Sequence, residues 1–257
     1  MDVYWLEQTE ADVPLGKDWL STSEIACLNG MRFAQRRTGW RLGRWTAKRA
    51  VALYLNWPPR PHALAQIEIR PAPSGAPEAF VVNMAAPVTI SLSHRSGTAM
   101  CAVASSGQKL GCDLELIEPR SAAFVADYFV AEEQALVAGA SPEERPRISV
   151  LIWSAKESAL KALHEGLRLD TRSVVVTLGD AYSDPALWSR LQVKCWDGRI
   201  FHGWWRTHGS VLRTIVADPS PNSPISMELK PYLPGDASFD ALKRSEKKKE
   251  GVSVLQR

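Results

Sequence analysis

The sequence predicts an α+β (mixed α/β) protein in two halves, each a small antiparallel sheet packed with helices. Three observations carry that prediction. Between Pro146 and His164, the residues Ile148, Ile152, Ala155, Ala159 and Leu163 recur on the 3.6-residue period of a helix, which marks its buried stripe. Leu110 to Ile117 alternates polar and apolar side chains, as a strand does when one face meets the core. Helices followed by three or more strands occur on both sides of residue 114, although no convincing sequence repeat relates the two sides.

The elements follow in order. Val3 to Leu6 reads as a first strand, and 12–20 as a loop. Ser21-Thr22-Ser23-Glu24 supplies helix-start residues, and 25–55 is mostly helical, with Gly30 and Gly39 as candidate breaks before Trp57-Pro58-Pro59 stops it. Ile67 to Arg70 is a short strand, and 71–77 a Pro/Gly loop. Val88 to Ser93 and Thr98 to Ser105 are strands, and Gly107 turns the chain into Leu110 to Ile117. Helices are expected at 122–129, 131–137 and 146–164. Strands follow at 173–178, 191–196, 199–206 and 211–217, with Asp197-Gly198 a strong hairpin signal and His208-Gly209 a weaker one. The expected divisions are 1–113, 114–220, and a Pro/Ser-rich segment with a disordered basic tail over 221–257.

Composition narrows the function. The chain has 257 residues, 45% hydrophobic and 23% charged, which suits an ordinary globular protein. Its formal charge of +3 resides in the tail: Lys243 to Arg257 holds six basic and two acidic residues, leaving −1 for the remainder. A nucleic-acid-binding body is therefore not expected. Cys27, Cys101, Cys112 and Cys195 form no C-x-x-C pair and read as free thiols in a reducing cytoplasm. No apolar run approaches the roughly 20 residues of a membrane span, so no membrane partner is expected.

Two motifs carry the chemistry. Gly111-Cys112-Asp113-Leu114-Glu115 places Asp113 and Glu115 on one face of a strand. Some forty residues on, Trp153-Ser-Ala-Lys-Glu157-Ser-Ala-Leu-Lys161 sets Glu157, Lys161 and His164 opposite the buried stripe, with Trp153 at its margin. Two strand carboxylates and a third from a helix make a hard-oxygen set suited to Mg²⁺ on a phosphate substrate. Upstream, Ser91-Leu92-Ser93-His94 ends a strand beside Gly97, which places His94 at a mouth. Arg37, Arg41, Arg44 and Lys48 form a basic helical row almost without interleaved acids, and such a row suits a polyanion.

In their order and spacing, these motifs resemble those of the Sfp-type 4′-phosphopantetheinyl transferases, over roughly Arg32 to Asp218. The resemblance implies a pseudo-twofold fold with its site in the cleft between halves. It also implies transfer of the 4′-phosphopantetheine arm of coenzyme A to a serine of an apo acyl, polyketide or peptidyl carrier protein, releasing 3′,5′-ADP. Asp113, Glu115 and Glu157 would hold Mg²⁺, with Mn²⁺ as a substitute. Glu157 would take the serine proton, and Lys161 would reach the phosphates and assist the leaving group. Arg44, with Arg37 and Lys48, would hold the 3′-phosphate of coenzyme A, and Ser93 and His94 would meet its phosphates. The family's Gly-Lys-Pro loop is Gly75-Ala76-Pro77 here, so Arg70 or the basic row is expected to take over from the absent lysine. Lys156 is assigned a supporting role and Trp153 a packing role. The carrier is expected to dock over 122–147, and the protein to be a cytoplasmic monomer. A non-catalytic carrier-binding protein and a Mg²⁺-dependent nucleotide-processing enzyme are the rival readings.

Overall fold

A computed structural model describes residues 1–58, 60–165, 169–179 and 187–227. The expected basic tail lies outside the described residues. The mixed α+β class is as the sequence predicts, with three antiparallel-rich sheets and six helices among the described residues.

β1 (Tyr4–Thr9) opens the chain. α1 (Thr22–Gly30) starts at Ser21: its hydroxyl accepts from the Glu24 amide while the Glu24 carboxylate accepts from the Ser21 amide, a capping box. α2 (Ala34–Tyr54) follows. The helical stretch thus divides just after Gly30, while Gly39 lies inside α2. After the short α3 (Pro61–Leu64) come β2 (Ile67–Pro71), β3 (Pro77–Val81) and β4 (Met84–Ala85), a small sheet in that order. Sequence reasoning found only the first of these three strands. The turn joining β3 to β4 is Val82-Asn83, both with positive φ (50° and 64°), and a valine there gives none of the Asn-Gly signal that announces a hairpin.

β5 (Val88–Arg95) and β6 (Thr98–Ser105) pair antiparallel, β1 joins the other edge of β6, and β12 (Ile225–Ser226) runs parallel to β1. β7 (Lys109–Leu116) leaves that sheet. It pairs with β11 (Val211–Asp218), which continues through β10 (Ile200–His208) and β9 (Ser189–Cys195) to β8 (Val174–Leu178). The boundary expected at 113/114 therefore falls within a strand, one whose ladder belongs to the second sheet. α4 (Ala122–Tyr128), α5 (Ala131–Gly139) and α6 (Arg145–Ala162) connect β7 to β8.

Three cores hold this together. α2 covers the first sheet through Trp45, Ala47 and Val51 against Leu6, Ile90 and Cys101. α6 covers the second through Leu151, Ile152 and Leu160 against Val193 and Phe201. Between the sheets, Val3, Trp5, Met100 and Ala102 meet Cys112, Leu114, Trp204 and Ile215. Each large side chain in these cores contributes about 1.5–3 kcal/mol by leaving water, so the junction of the halves is itself an apolar core. Cys101, Cys112 and Cys195 are buried free thiols; burial pushes all three pKa values up, that of Cys195 to about 11. Among the described residues no helix is long and apolar enough to cross a membrane.

Candidate active site

From Ser149 to Leu163 only Trp153, Glu157 and Lys161 are not buried. The rest of α6 is enclosed because small residues let it press close to the second sheet. Ser154 and Ser158 share hydrogen bonds with the Thr214 hydroxyl of β11, at 2.8 and 2.7 Å. Gly111 on β7 has no room for a side chain: a Cβ there would lie 1.8 Å from the Ser158 carbonyl oxygen and 2.9 Å from the Ala162 amide nitrogen. The glycine of Gly-x-Asp-x-Glu is thus what allows helix and strand to touch, and that contact brings Glu157 and Lys161 alongside Asp113.

Asp113 is buried. One oxygen, Oδ1, accepts from the Ser93 hydroxyl at 2.8 Å and from Lys161 Nζ at 2.8 Å, while Lys161 also donates to the Cys112 carbonyl at 3.0 Å. The other oxygen, Oδ2, is buried without a partner, and so is Glu157 Oε1. A buried carboxylate oxygen with nothing to accept is costly, so two on facing elements mark a place built to receive a donor or a cation. Glu115 lies between two arginines: its Oε2 is 3.6 Å from Arg95 and 3.4 Å from Arg120, and Trp153 also hydrogen-bonds it.

The electrostatics tie the three acids together. Burial first, then the charge of Asp113, raises the pKa of Glu157, with Glu115 adding to the rise and Lys161 opposing it. Glu115 is raised by burial and then by Asp113, against the pull of Arg95 and Arg120. Burial alone would lower the pKa of Lys161, but Asp113, Cys112 and Glu157 together carry it above the usual lysine value. His94 stands on the rim with its imidazole against α2, where a Cβ on Gly39 would lie 3.3 Å from Nε2; burial and then Lys161 hold its pKa down.

A divalent cation fits this donor chemistry in part. Asp113 Oδ2 and Glu157 Oε1 are hard, unpartnered oxygens, and the repulsion that adds to burial in raising the pKa of Glu157 is what a cation would relieve. Among the described residues, however, no three His, Cys, Asp or Glu groups are gathered closely enough to chelate an ion. The Lys161 ammonium occupies one side of Asp113, and the arginines hold Glu115.

The basic row of α2 does not stay on the surface. Arg37 is exposed, and Arg41 donates to the carbonyls of Pro14, Leu15 and Gly16. Arg44 stacks over Trp40 at 5.0 Å, 4.0 Å from Glu24, with its Nε unpartnered. Lys48 is 0% exposed, ion-paired with Glu24 and bonded to the Trp19 and Leu64 carbonyls, so it has no donor left for a ligand and does not join the coenzyme A set expected of it. The row looked unpartnered because its acid comes from α1. Arg44, Trp40, Glu24, Glu68, Arg70 and Asn83 line a cleft of about 960 Å³. Arg70 is held there by Glu68 and Asn83 over the Phe80 ring. The carboxylate cluster lies outside that lining, and α2 connects the two places: Trp40 and Arg44 face the cleft while Gly39 backs His94.

Arg95 and Arg120 were missed from the sequence. The available signals were that Arg95 directly follows Ser91-Leu92-Ser93-His94 and that Arg120 lies 5 residues beyond Glu115.

Comparison with known proteins points to one family. Residues 109–207, which span β7 to β10 and include both acidic motifs, match the family model of the 4′-phosphopantetheinyl transferase superfamily. The chain is also similar to the 4′-phosphopantetheinyl transferase HetI of Nostoc sp. (strain PCC 7120), at 26% identity over 175 residues, 67% of this chain and 71% of that protein.

Proposed function

We propose, from the premise that this chain is an enzyme of the 4′-phosphopantetheinyl transferase superfamily, that it moves the 4′-phosphopantetheine arm of coenzyme A to a serine hydroxyl of an apo carrier protein in a Mg²⁺-dependent reaction. The observation that carries this reading is the pair of unpartnered carboxylate oxygens, Asp113 Oδ2 and Glu157 Oε1, beside the Lys161 ammonium at the contact of β7 with α6.

In this reading the serine oxygen forms a bond to the phosphorus that carries the pantetheine arm, and the bond from that phosphorus to the ADP oxygen breaks. Glu157 takes the serine proton; its Oε1 is a carboxylate oxygen that no protein donor occupies. Lys161 and His94 face the phosphates, with Lys161 offsetting the charge that grows on the departing 3′,5′-ADP. Asp113 and Glu157, with Glu115 beside them, would hold the Mg²⁺ or Mn²⁺, which when bound supplies charge neutralisation on the pyrophosphate. Ser93 fixes Asp113 Oδ1 and so acts on the acid more directly than on the phosphates. Arg44 and Arg70 bind the 3′-phosphate end in the cleft, with Trp40 beside them, and the exposed Arg37 on the same helix adds positive charge.

The carrier docks over 122–147, where Tyr128 on α4 and Leu136 on α5 are exposed apolar residues. A monomer acting in the cytoplasm, where free thiols persist and coenzyme A is at hand, completes the reading. The test is incubation with Mg²⁺, coenzyme A and a panel of apo acyl, polyketide and peptidyl carriers, read by mass spectrometry, with Glu157→Ala as control. Phosphopantetheine addition by the native protein alone is expected. Addition to no carrier, or equal addition by Glu157→Ala, contradicts the proposal.

A further inference from the structure

We infer that Lys156 is a positioning residue for Glu157, acting through a buried latch that the fold uses twice. The inference rests on the catalytic role proposed for Glu157.

The latch is visible because the molecule contains its own comparison. Trp153-Ser154-Ala155-Lys156 in α6 matches Trp45-Thr46-Ala47-Lys48 in α2, and the two lysines make the same contacts. Lys156 is 0% exposed and donates to Glu133 Oε2 at 2.8 Å, to the Thr171 carbonyl at 3.0 Å and to the Val174 carbonyl at 2.6 Å. Lys48 likewise pairs with Glu24 Oε2 and donates to the carbonyls of Trp19 at 2.9 Å and Leu64 at 3.2 Å. Each glutamate also accepts two backbone amides. Glu133 takes those of Val130 (3.0 Å) and Val176 (2.8 Å), and Glu24 those of Ser21 (3.1 Å) and Ile69 (3.3 Å). Val176 and Ile69 are each the third residue of a strand. Each ammonium sits over an aromatic ring, Phe129 at 5.9 Å and Trp19 at 5.7 Å.

A lysine has three N–H donors, and here three acceptors consume them, so Lys156 has no hydrogen bond left to give a substrate. The first half shows that the latch does not require chemistry. The residue after Lys48 is Arg49, stacked on Trp45 at 5.2 Å, where the residue after Lys156 is Glu157. What the latch does in both halves is fix a helix to the start of the preceding helix and to a strand, which sets its rotation and its axial position. Glu157 Oε1 has no hydrogen bond of its own. Its aim toward Asp113 is therefore inherited from the helix, and Lys156 is the tether one residue away.

The test is steady-state kinetics with a carrier that the native protein modifies, run on Lys156→Met and on Glu133→Gln/Lys156→Met, well below their melting temperatures. In Lys156→Met the buried Glu133 loses its counter-charge, and kcat is expected to fall about tenfold or more, since misplacement by an ångström costs on this order or worse. KM for coenzyme A should stay within about twofold, because ground-state binding is untouched. In the double variant the stranded charge is gone, and kcat is expected to return to within about threefold of native. Unchanged kcat in Lys156→Met overturns the inference, and so does a double variant as slow as the single one, which would mean that the ammonium itself enters the chemistry. Lys48→Met is expected to lower the melting temperature as Lys156→Met does, and an unaffected melt contradicts the shared latch. Glu157→Gln is measured alongside. If it retains native kcat, the catalytic reading of Glu157 fails, whereas the outcomes above fail the positioning role alone.

Discussion

Arg213 on β11 donates Nε and Nη2 to the two carboxylate oxygens of Glu7 on β1, at 2.5 and 2.6 Å, bridging residues 206 positions apart. The pair joins the two sheets at the edge of their shared apolar core, and Arg213 is 4% exposed. Removing one partner of such a pair strands a charge, so Glu7→Ala is expected to destabilise the fold by about 3–5 kcal/mol. A urea titration measures it. A loss below about 1 kcal/mol, the range of exposed pairs, contradicts the assignment of this bridge as a clamp between halves.

Gly111→Ala is expected to cost about 3 kcal/mol or more and to abolish transfer, because the new methyl meets backbone atoms of α6 that move only if the helix does. Chemical denaturation and the transfer assay check both. Native stability with native activity contradicts the tight β7 to α6 contact.

Glu157→Gln is expected to slow transfer by about 10²- to 10⁴-fold, the usual worth of a general base. Its effect on stability has the opposite sign. A carboxyl whose folded pKa is raised contributes most below its unfolded pKa and loses that contribution as pH rises through the folded value. In chelator at neutral pH, Glu157→Gln should therefore melt higher than the native chain, with the advantage shrinking as pH falls toward the ordinary carboxylate range. A lower melt at neutral pH contradicts the electrostatic picture.

Arg44→Ala is expected to raise KM for coenzyme A about tenfold, the value of one charged hydrogen bond, with less effect on kcat. Dephospho-coenzyme A, which lacks the 3′-phosphate, should discriminate poorly between variant and native. An equal loss with both substrates places Arg44 elsewhere.

Much of this molecule was legible in the primary order. Thr98–Ser105 was bounded to the residue because it is a short apolar run closed by polar ends, and α6 within one or two residues because it carries a clear helical period. Lys48 was misread for a physical reason: helical spacing shows which charges share a face, whereas Glu24, the acid that draws this one inward, arrives on another helix. The four-residue match of Trp45–Lys48 with Trp153–Lys156 was too short to notice until both lysines were seen in the same cage.

By itself the sequence determined the types of the longer elements, the acidic and basic motifs, and the class of chemistry they suit, since these follow from local period and side-chain identity. Only the tertiary structure decided which charges are spent on one another. Lys161 on Asp113, the arginines on Glu115 and the lysines of the two latches all pair across elements, and the free energy of a charge depends on what chain folding brings within a few ångströms of it.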